Sequence, residues 1–135
     1  MNDAFDSAAI ANGSIETWDI GTRGWDINNS TKLYLYFKPY LSIQKECGSY
    51  NENGCFAKSY KALSGQNAYS FSGHGYKVVR LKDGIVVGFW SGGINNGYGG
   101  INAIAIFDIN GDKAPNIYGK DFFMFIIGNI IKIFV

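Results

Sequence analysis

Short runs of β-prone residues, separated by turn signals, fill the second half of this 135-residue chain. Tyr76–Leu81 alternates loosely, Lys82–Gly84 (KDG) is typical of a hairpin turn, and Ile85–Trp90 is a β-prone return strand. Ala103–Phe107 is a further apolar run of strand length. Because strands this close in sequence pair through short turns, the pattern predicts an antiparallel sheet over residues 69–135.

The first residues have a helical pattern instead. Asp3–Asn12 carries apolar residues at helical spacing, and Gly13 follows as a stop signal. A helix that starts at the first residue without a cap is typical of the end of a longer helix, so we interpret residues 1–13 in that way. Residues 14–68 are assigned to an αβ-loop region between this helix and the sheet. Together these regions predict one α+β domain over residues 1–135, with an N-terminal helix packed on an antiparallel sheet.

A second helix is predicted near residue 30. Ser30 can cap it, and apolar residues recur at helical spacing from Leu33 to Leu41. Pro39 would divide this helix, because proline lacks a backbone donor. The alternation in Leu33–Phe37 (LYLYF) leaves a strand as the alternative, and we favour the helix.

Composition excludes several classes of protein. Hydrophobic residues make up 47% of the chain and charged residues 17%, which excludes a disordered chain. A formal net charge of +1 gives no general attraction to nucleic acid. The C-terminal segment Phe122–Val135 is apolar but too short to span a bilayer. It is interpreted as a buried strand pair turning at Gly128-Asn129, with a membrane anchor as the alternative.

The two cysteines, Cys47 and Cys55, enclose the segment CGSYNENGC. The alternatives are a disulfide and a pair of free thiols. A zinc site is unsupported, because one distant histidine leaves the ligand set short. We expect the disulfide, and with it an oxidising compartment outside the cytoplasm.

The segment Asp108–Asp121 (DINGDKAPNIYGKD) is the strongest candidate for a site. Alternating oxygen donors in a tight loop can converge on a hard cation, and later residues can close the cage; the candidates are Asp108, Asn110, Asp112, Asn116 and Asp121. An EF-hand is excluded, because Lys113 and Gly119 occupy its glycine and glutamate positions. The alternative is a turn in which the same side chains bond to nearby backbone.

No catalytic constellation is evident from the sequence. His74 is the only histidine and has no marked nucleophile or orienting acid, so we predict a surface loop residue and no enzymatic activity. The glycine-rich segment 92–100 does not connect a strand to a helix, which excludes a phosphate-binding loop.

Three segments carry a family resemblance: AFDSAAIANGS (Ala4–Ser14), LKDGIVVGF (Leu81–Phe89) and IFDINGDKAPNIYGKDFFMF (Ile106–Phe125). In this order they resemble the end of the spine helix, the Asp-Gly hairpin and the C-terminal loop and strand of type IV pilins and type II secretion pseudopilins. The third segment is the most specific, and the Cys47–Cys55 loop is similar to disulfide loops of that family.

The resemblance implies a non-catalytic head domain of a filament subunit, whose partners are other pilin or pseudopilin subunits. It implies a hydrophobic N-terminal helix as the only membrane contact, and a location at the cell surface or in the periplasm; this sequence shows neither that helix nor its cleavage motif. It also makes Ca²⁺ the expected ion in the Asp108–Asp121 loop. The alternative from another class is a secreted carbohydrate-binding module that uses exposed Trp18, Trp25, Trp90 and tyrosines.

Overall fold

A computed structural model describes residues 2–21, 26–49, 54–57, 59–70, 75–92, 103–111, 113, 116–127 and 132–134. Both helices precede the strands in the described residues, and a short 3₁₀ turn follows each helix, at Ile15–Thr17 and at Lys38–Tyr40. The helices are α1 (Asn2–Asn12) and α2 (Ile27–Phe37). The strands are β1 (Ile43–Ser49), β2 (Ser59–Lys61), β3 (Asn67–Ser70), β4 (Lys77–Leu81), β5 (Val86–Ser91), β6 (Ala103–Asp108), β7 (Phe122–Ile127) and β8 (Lys132–Phe134).

Six of the strands form one antiparallel sheet in the order β1-β4-β5-β6-β7-β8, and β2 pairs with β3 in a separate hairpin. The α+β class and the predicted antiparallel pairing are therefore confirmed. The predicted C-terminal strand pair is present as β7 and β8, while its turn at Gly128-Asn129 lies outside the described residues. The prediction that the sheet begins at residue 69 was wrong, because β1 forms its edge beside β4.

The helical prediction for Leu33–Phe37 is confirmed within α2, but the predicted cap was wrong. Asp26 caps this helix, with its side chain accepting a hydrogen bond from the Asn28 amide at 2.9 Å. Ser30 lies one turn inside the helix and accepts a hydrogen bond from the Ser91 amide. Pro39 sits in the 3₁₀ turn that follows, which is where its missing donor costs least.

The two faces of the sheet are covered by different layers. α2 packs across β4 and β5, and α1 packs on α2, so the helix that directly covers the sheet is α2 and not the N-terminal one as predicted. This helical side buries Trp18, Phe37 and Phe89 in one apolar cluster. The opposite face buries a second cluster that includes Phe56 and Phe122, together with the disulfide.

Cys47 and Cys55 are joined as predicted, with their Cα atoms 6.4 Å apart. Both are fully buried against the second face of the sheet. Gly88 on β5 allows this layer to approach closely. A Cβ atom at Gly88 would lie 2.8 Å from Ile106 Cγ1 and 3.2 Å from Phe56 Cε2, so no larger residue fits without displacement.

Candidate functional site: the loop between β6 and β7

Asp108 ends β6 with its carboxylate fully buried. Because side chains alternate along a strand, Asp108 shares the face of Ile106, on the side of the disulfide. The Tyr60 hydroxyl donates a short hydrogen bond to Asp108 Oδ2 and itself accepts one from the Ala57 amide at 3.2 Å. The Asn110 amide donates to Asp108 Oδ1 at 3.0 Å. Asp108 therefore receives at least one donor on each oxygen.

Asp121 lies just before β7 and is 2% exposed. Its Oδ1 accepts a hydrogen bond from the Ile117 amide at 2.6 Å, and its Oδ2 accepts one from the Asn116 amide at 2.8 Å. Asn116 has a φ of +55°, in the left-handed region that asparagine tolerates better than most residues. The carbonyl of Asp121 also accepts from the Ile109 amide at 2.9 Å, which closes the base of the loop.

The side-chain amide of Asn110 connects the two carboxylates. With its nitrogen facing them, Nδ2 lies 2.7 Å from Asp108 Oδ1, 3.1 Å from Asp121 Oδ2 and 3.2 Å from the Lys113 carbonyl. This orientation is the favourable one, because an oxygen in the same place would face only acceptors. Tyr60, Asp108, Asn110 and Asp121 are called the carboxylate network below.

Electrostatics of the network follow from burial. Burial raises the pKa of Asp108 above its ordinary value, and the hydrogen bond from Tyr60 opposes that rise by stabilising the ionised form. Burial, followed by the same hydrogen bond, raises the pKa of Tyr60. Tyr60 therefore remains a protonated donor to Asp108.

The described residues fit a hydrogen-bonded turn better than a calcium cage. Calcium takes six to eight oxygen ligands. All four carboxylate oxygens of Asp108 and Asp121 already accept hydrogen bonds, and the amide nitrogen of Asn110 occupies the space between them. Within the described ranges, no three His, Cys, Asp or Glu side chains come together in a way that could hold a metal ion. Asp112 lies outside those ranges, so the sequence-based prediction of calcium binding is not tested by them, and the hydrogen-bonded turn is the interpretation that the described residues favour.

The network also holds β2, which packs in the same apolar cluster as the disulfide, against the loop between β6 and β7. The Lys61 amide on β2 donates to the Asn116 carbonyl at 3.1 Å, and the Tyr118 amide donates back to the Lys61 carbonyl at 2.7 Å. The Tyr60 ring stacks on Phe122 with centroids 4.1 Å apart. β2 is therefore held to the loop by two backbone hydrogen bonds, an aromatic contact and the Tyr60–Asp108 hydrogen bond.

Tyr60 is the functional residue that sequence reasoning missed. It lies 48 positions before Asp108, and no motif connects the two residues. The only available signal was its place in a short polar segment after the second cysteine, which does not distinguish it from the other tyrosines.

The other candidates have mixed outcomes. Trp18 and Trp90 are 3% and 4% exposed, so the expectation of exposed tryptophans was wrong for both. Trp18 stacks on Tyr36 and donates from Nε1 to the Gly13 carbonyl, which explains its burial. Trp25, His74 and most of the glycine-rich segment 92–100 fall outside the described residues. No helix within the described ranges is long and apolar enough to cross a membrane.

Comparison of the chain with protein-family models, with curated proteins and with solved structures found no match.

Proposed function

We propose that this chain is a non-catalytic structural subunit of a type IV pilus-like or secretion pseudopilus filament. The observation that carries the proposal is the placement of the carboxylate network. The segment that most resembles pilins holds β2 beside the sheet. Its carboxylates, Asp108 and Asp121, accept hydrogen bonds from within the protein. A subunit of an extracellular filament needs this kind of fastening, because its loops must stay folded without cytoplasmic chaperones.

The burial of the carboxylates also argues against a catalytic role. An acid or base in catalysis has to come within hydrogen-bonding distance of a substrate. The adjacent surface groove is lined by Asn110 and Gly111, whereas neither Asp108 nor Asp121 lines it. Both carboxylates are at most 2% exposed, so a substrate in the groove would not reach them.

The carbohydrate-binding alternative receives less support. It relied on exposed tryptophans that could stack on sugar rings. Trp18 and Trp90 are buried in the two apolar clusters, one on each face of the sheet. Neither indole can present its face to a ligand without unfolding part of the core.

The proposal is tested in the cells that produce the protein. Surface filaments are sheared from the cells, sedimented and probed with an antibody against this chain, and intact filaments are labelled with the same antibody for electron microscopy. We expect the chain in the sedimented fraction and label along filaments. Recovery of the chain only as a freely secreted protein, with filaments unlabelled, would overturn the proposal. Binding to immobilised polysaccharides in that secreted form would support the alternative.

A further inference from the structure

Charge is unevenly distributed along this chain. Residues 1–31 contain five acidic residues and one basic residue, whereas residues 32–135 contain eleven basic and six acidic residues. The near-neutral total therefore conceals an acidic N-terminal portion and a basic remainder. Opposite charges on separate surfaces of one molecule favour contact between copies.

The outer face of α1 carries an acidic stripe that ends in an apolar residue. Asp3, Asp6 and Ile10 follow the spacing that places residues on one helix face, and all three are exposed, Ile10 to 87%. Ala4 and Ala8 occupy the opposite, buried face. No described basic residue forms an ion pair with Asp3 or Asp6. The stripe spans about 10 Å, from the rise of an α-helix.

A groove of about 550 Å³ lies at the β4–β5 turn, where β1, β4 and the loop after β6 meet. Its lining includes the cations Arg80 and Lys113, the carboxylate of Asp83, and Ile109, which is 53% exposed. Asp83 accepts a hydrogen bond from the Ile85 amide within its own turn. Neither Arg80 nor Lys113 forms an ion pair with a described acidic residue. The groove therefore offers two cations beside an exposed apolar side chain.

The stripe and the groove lie on opposite faces of the sheet. Val79 packs beneath α2 on the helical side, and its neighbour Val78 belongs to the cluster on the disulfide side. Because strand side chains alternate, Arg80 projects to the disulfide side with Val78. α1 lies beyond α2 on the helical side. One partner molecule cannot cover both surfaces, so a contact between them is heterologous, and it propagates as an open chain wherever the rotation from copy to copy does not close a ring.

We infer that the α1 stripe of one copy docks into the Arg80–Lys113 groove of the next copy, with Asp3 and Asp6 facing the two cations and Ile10 against Ile109. This inference rests on the proposed filament function and names the contact between neighbouring head domains within it. The charges set the register and speed the encounter, while the two isoleucines supply apolar area that is otherwise exposed.

Two sets of charge reversals test the contact. One chain carries Arg80→Glu with Lys113→Glu, and the other carries Asp3→Lys with Asp6→Lys. Each set places like charges in the contact, so each chain alone should associate at least about tenfold more weakly than wild type in sedimentation velocity. Mixing the two chains restores opposite charges at every contact, so association should return, strictly alternating between the two chains. The matched control is Lys61→Glu with Lys120→Glu, which makes the same change in net charge at exposed sites that do not line the groove.

A photo-crosslinking residue at position 10 gives the second readout. We expect its adducts to map to residues 109–113 of another copy, and to decrease at high salt because exposed charge pairs are screened. Absence of wild-type association, association that survives the reversals, or adducts elsewhere would overturn the contact. If the chain is found in filaments that the reversals leave intact, the contact is wrong and the proposed function stands. If the reversals act as expected but filaments lack the chain, the filament function is wrong.

Discussion

Replacing Tyr60 by phenylalanine removes one oxygen atom from the carboxylate network and leaves the aromatic contact with Phe122 in place. Two groups lose a partner: Asp108 Oδ2 loses a donor, and the Ala57 amide loses an acceptor. All three residues are buried, so water does not replace the missing hydroxyl without opening the layer. The variant therefore isolates the contribution of hydrogen bonding from that of packing.

The expected magnitude follows from the kind of bond that is lost. A hydrogen bond to a charged group contributes about 1.5–3 kcal/mol, and a buried amide left without a partner costs about 1 kcal/mol more. Tyr60→Phe should therefore lower the free energy of unfolding by about 2–4 kcal/mol. For a domain of this size that corresponds to a decrease in Tm of roughly 6–15 °C.

The effect of Tyr60→Phe should also depend on pH. Burial raises the pKa of Asp108 in the folded protein above its unfolded value, so its ionisation costs stability as the pH rises through that interval. Without the Tyr60 hydroxyl the pKa rises further, because the bond that favoured the ionised form is gone. The loss of stability should therefore grow with rising pH, and it should shrink when Asp108 is protonated in acid.

The assay is urea unfolding of both proteins at about pH 4 and about pH 7, with circular dichroism as the signal. The matched control is Tyr36→Phe, whose hydroxyl accepts an exposed hydrogen bond from the Asp19 amide at 2.8 Å. We expect the control to lose less than about 1 kcal/mol at either pH. A loss for Tyr60→Phe no larger than that of the control, or one that is the same at both pH values, would refute the reasoning.

Three further predictions concern neighbouring features. Alkylation of protein from its native compartment should label neither Cys47 nor Cys55 before reduction and both after it, by intact mass; replacing both should cost about 2–3 kcal/mol. The Tm of the wild type should be the same in millimolar calcium and in chelator, because the carboxylates are already satisfied; a calcium-dependent rise that Asp121→Ala abolishes would instead establish the cation site. Gly88→Ala should lower stability by about 1–3 kcal/mol in urea unfolding through its clash with Ile106, and an unchanged midpoint would contradict the close packing there.

The strands of the second half could be predicted because each depends on local signals. β4 and β5 follow from a hairpin turn between two apolar runs, and the structure pairs Lys77 with Phe89 and Arg80 with Val86 in that hairpin. β1 could not be predicted in the same way. Its sequence is IQKECGS, and charged residues such as Lys45 are exposed on it. Charges are common on edge strands, where they discourage pairing with other molecules, but they remove the alternation that identifies a strand.

The cap of α2 shows a different limit. Asp26 and Ser30 are both residue types that cap helices, and only one of them can do so in a given register. Ser30 instead accepts a hydrogen bond from the Ser91 amide, 61 positions away on β5. The choice between the two residues is therefore made by a tertiary contact, which local sequence does not contain.

The carboxylate network sets the strictest limit on what the sequence could predict. A run of Asp and Asn residues identifies acceptors, and both a cation and a set of N–H and O–H donors can satisfy acceptors. Here the donors are backbone amides at positions 110, 116 and 117, the Asn110 side chain and the distant Tyr60 hydroxyl. The amides donate only after the loop has folded, and Tyr60 donates only after β2 has reached the sheet. Whether the carboxylates of such a loop bind calcium or accept internal hydrogen bonds is therefore decided by donors that reach them only in the folded chain.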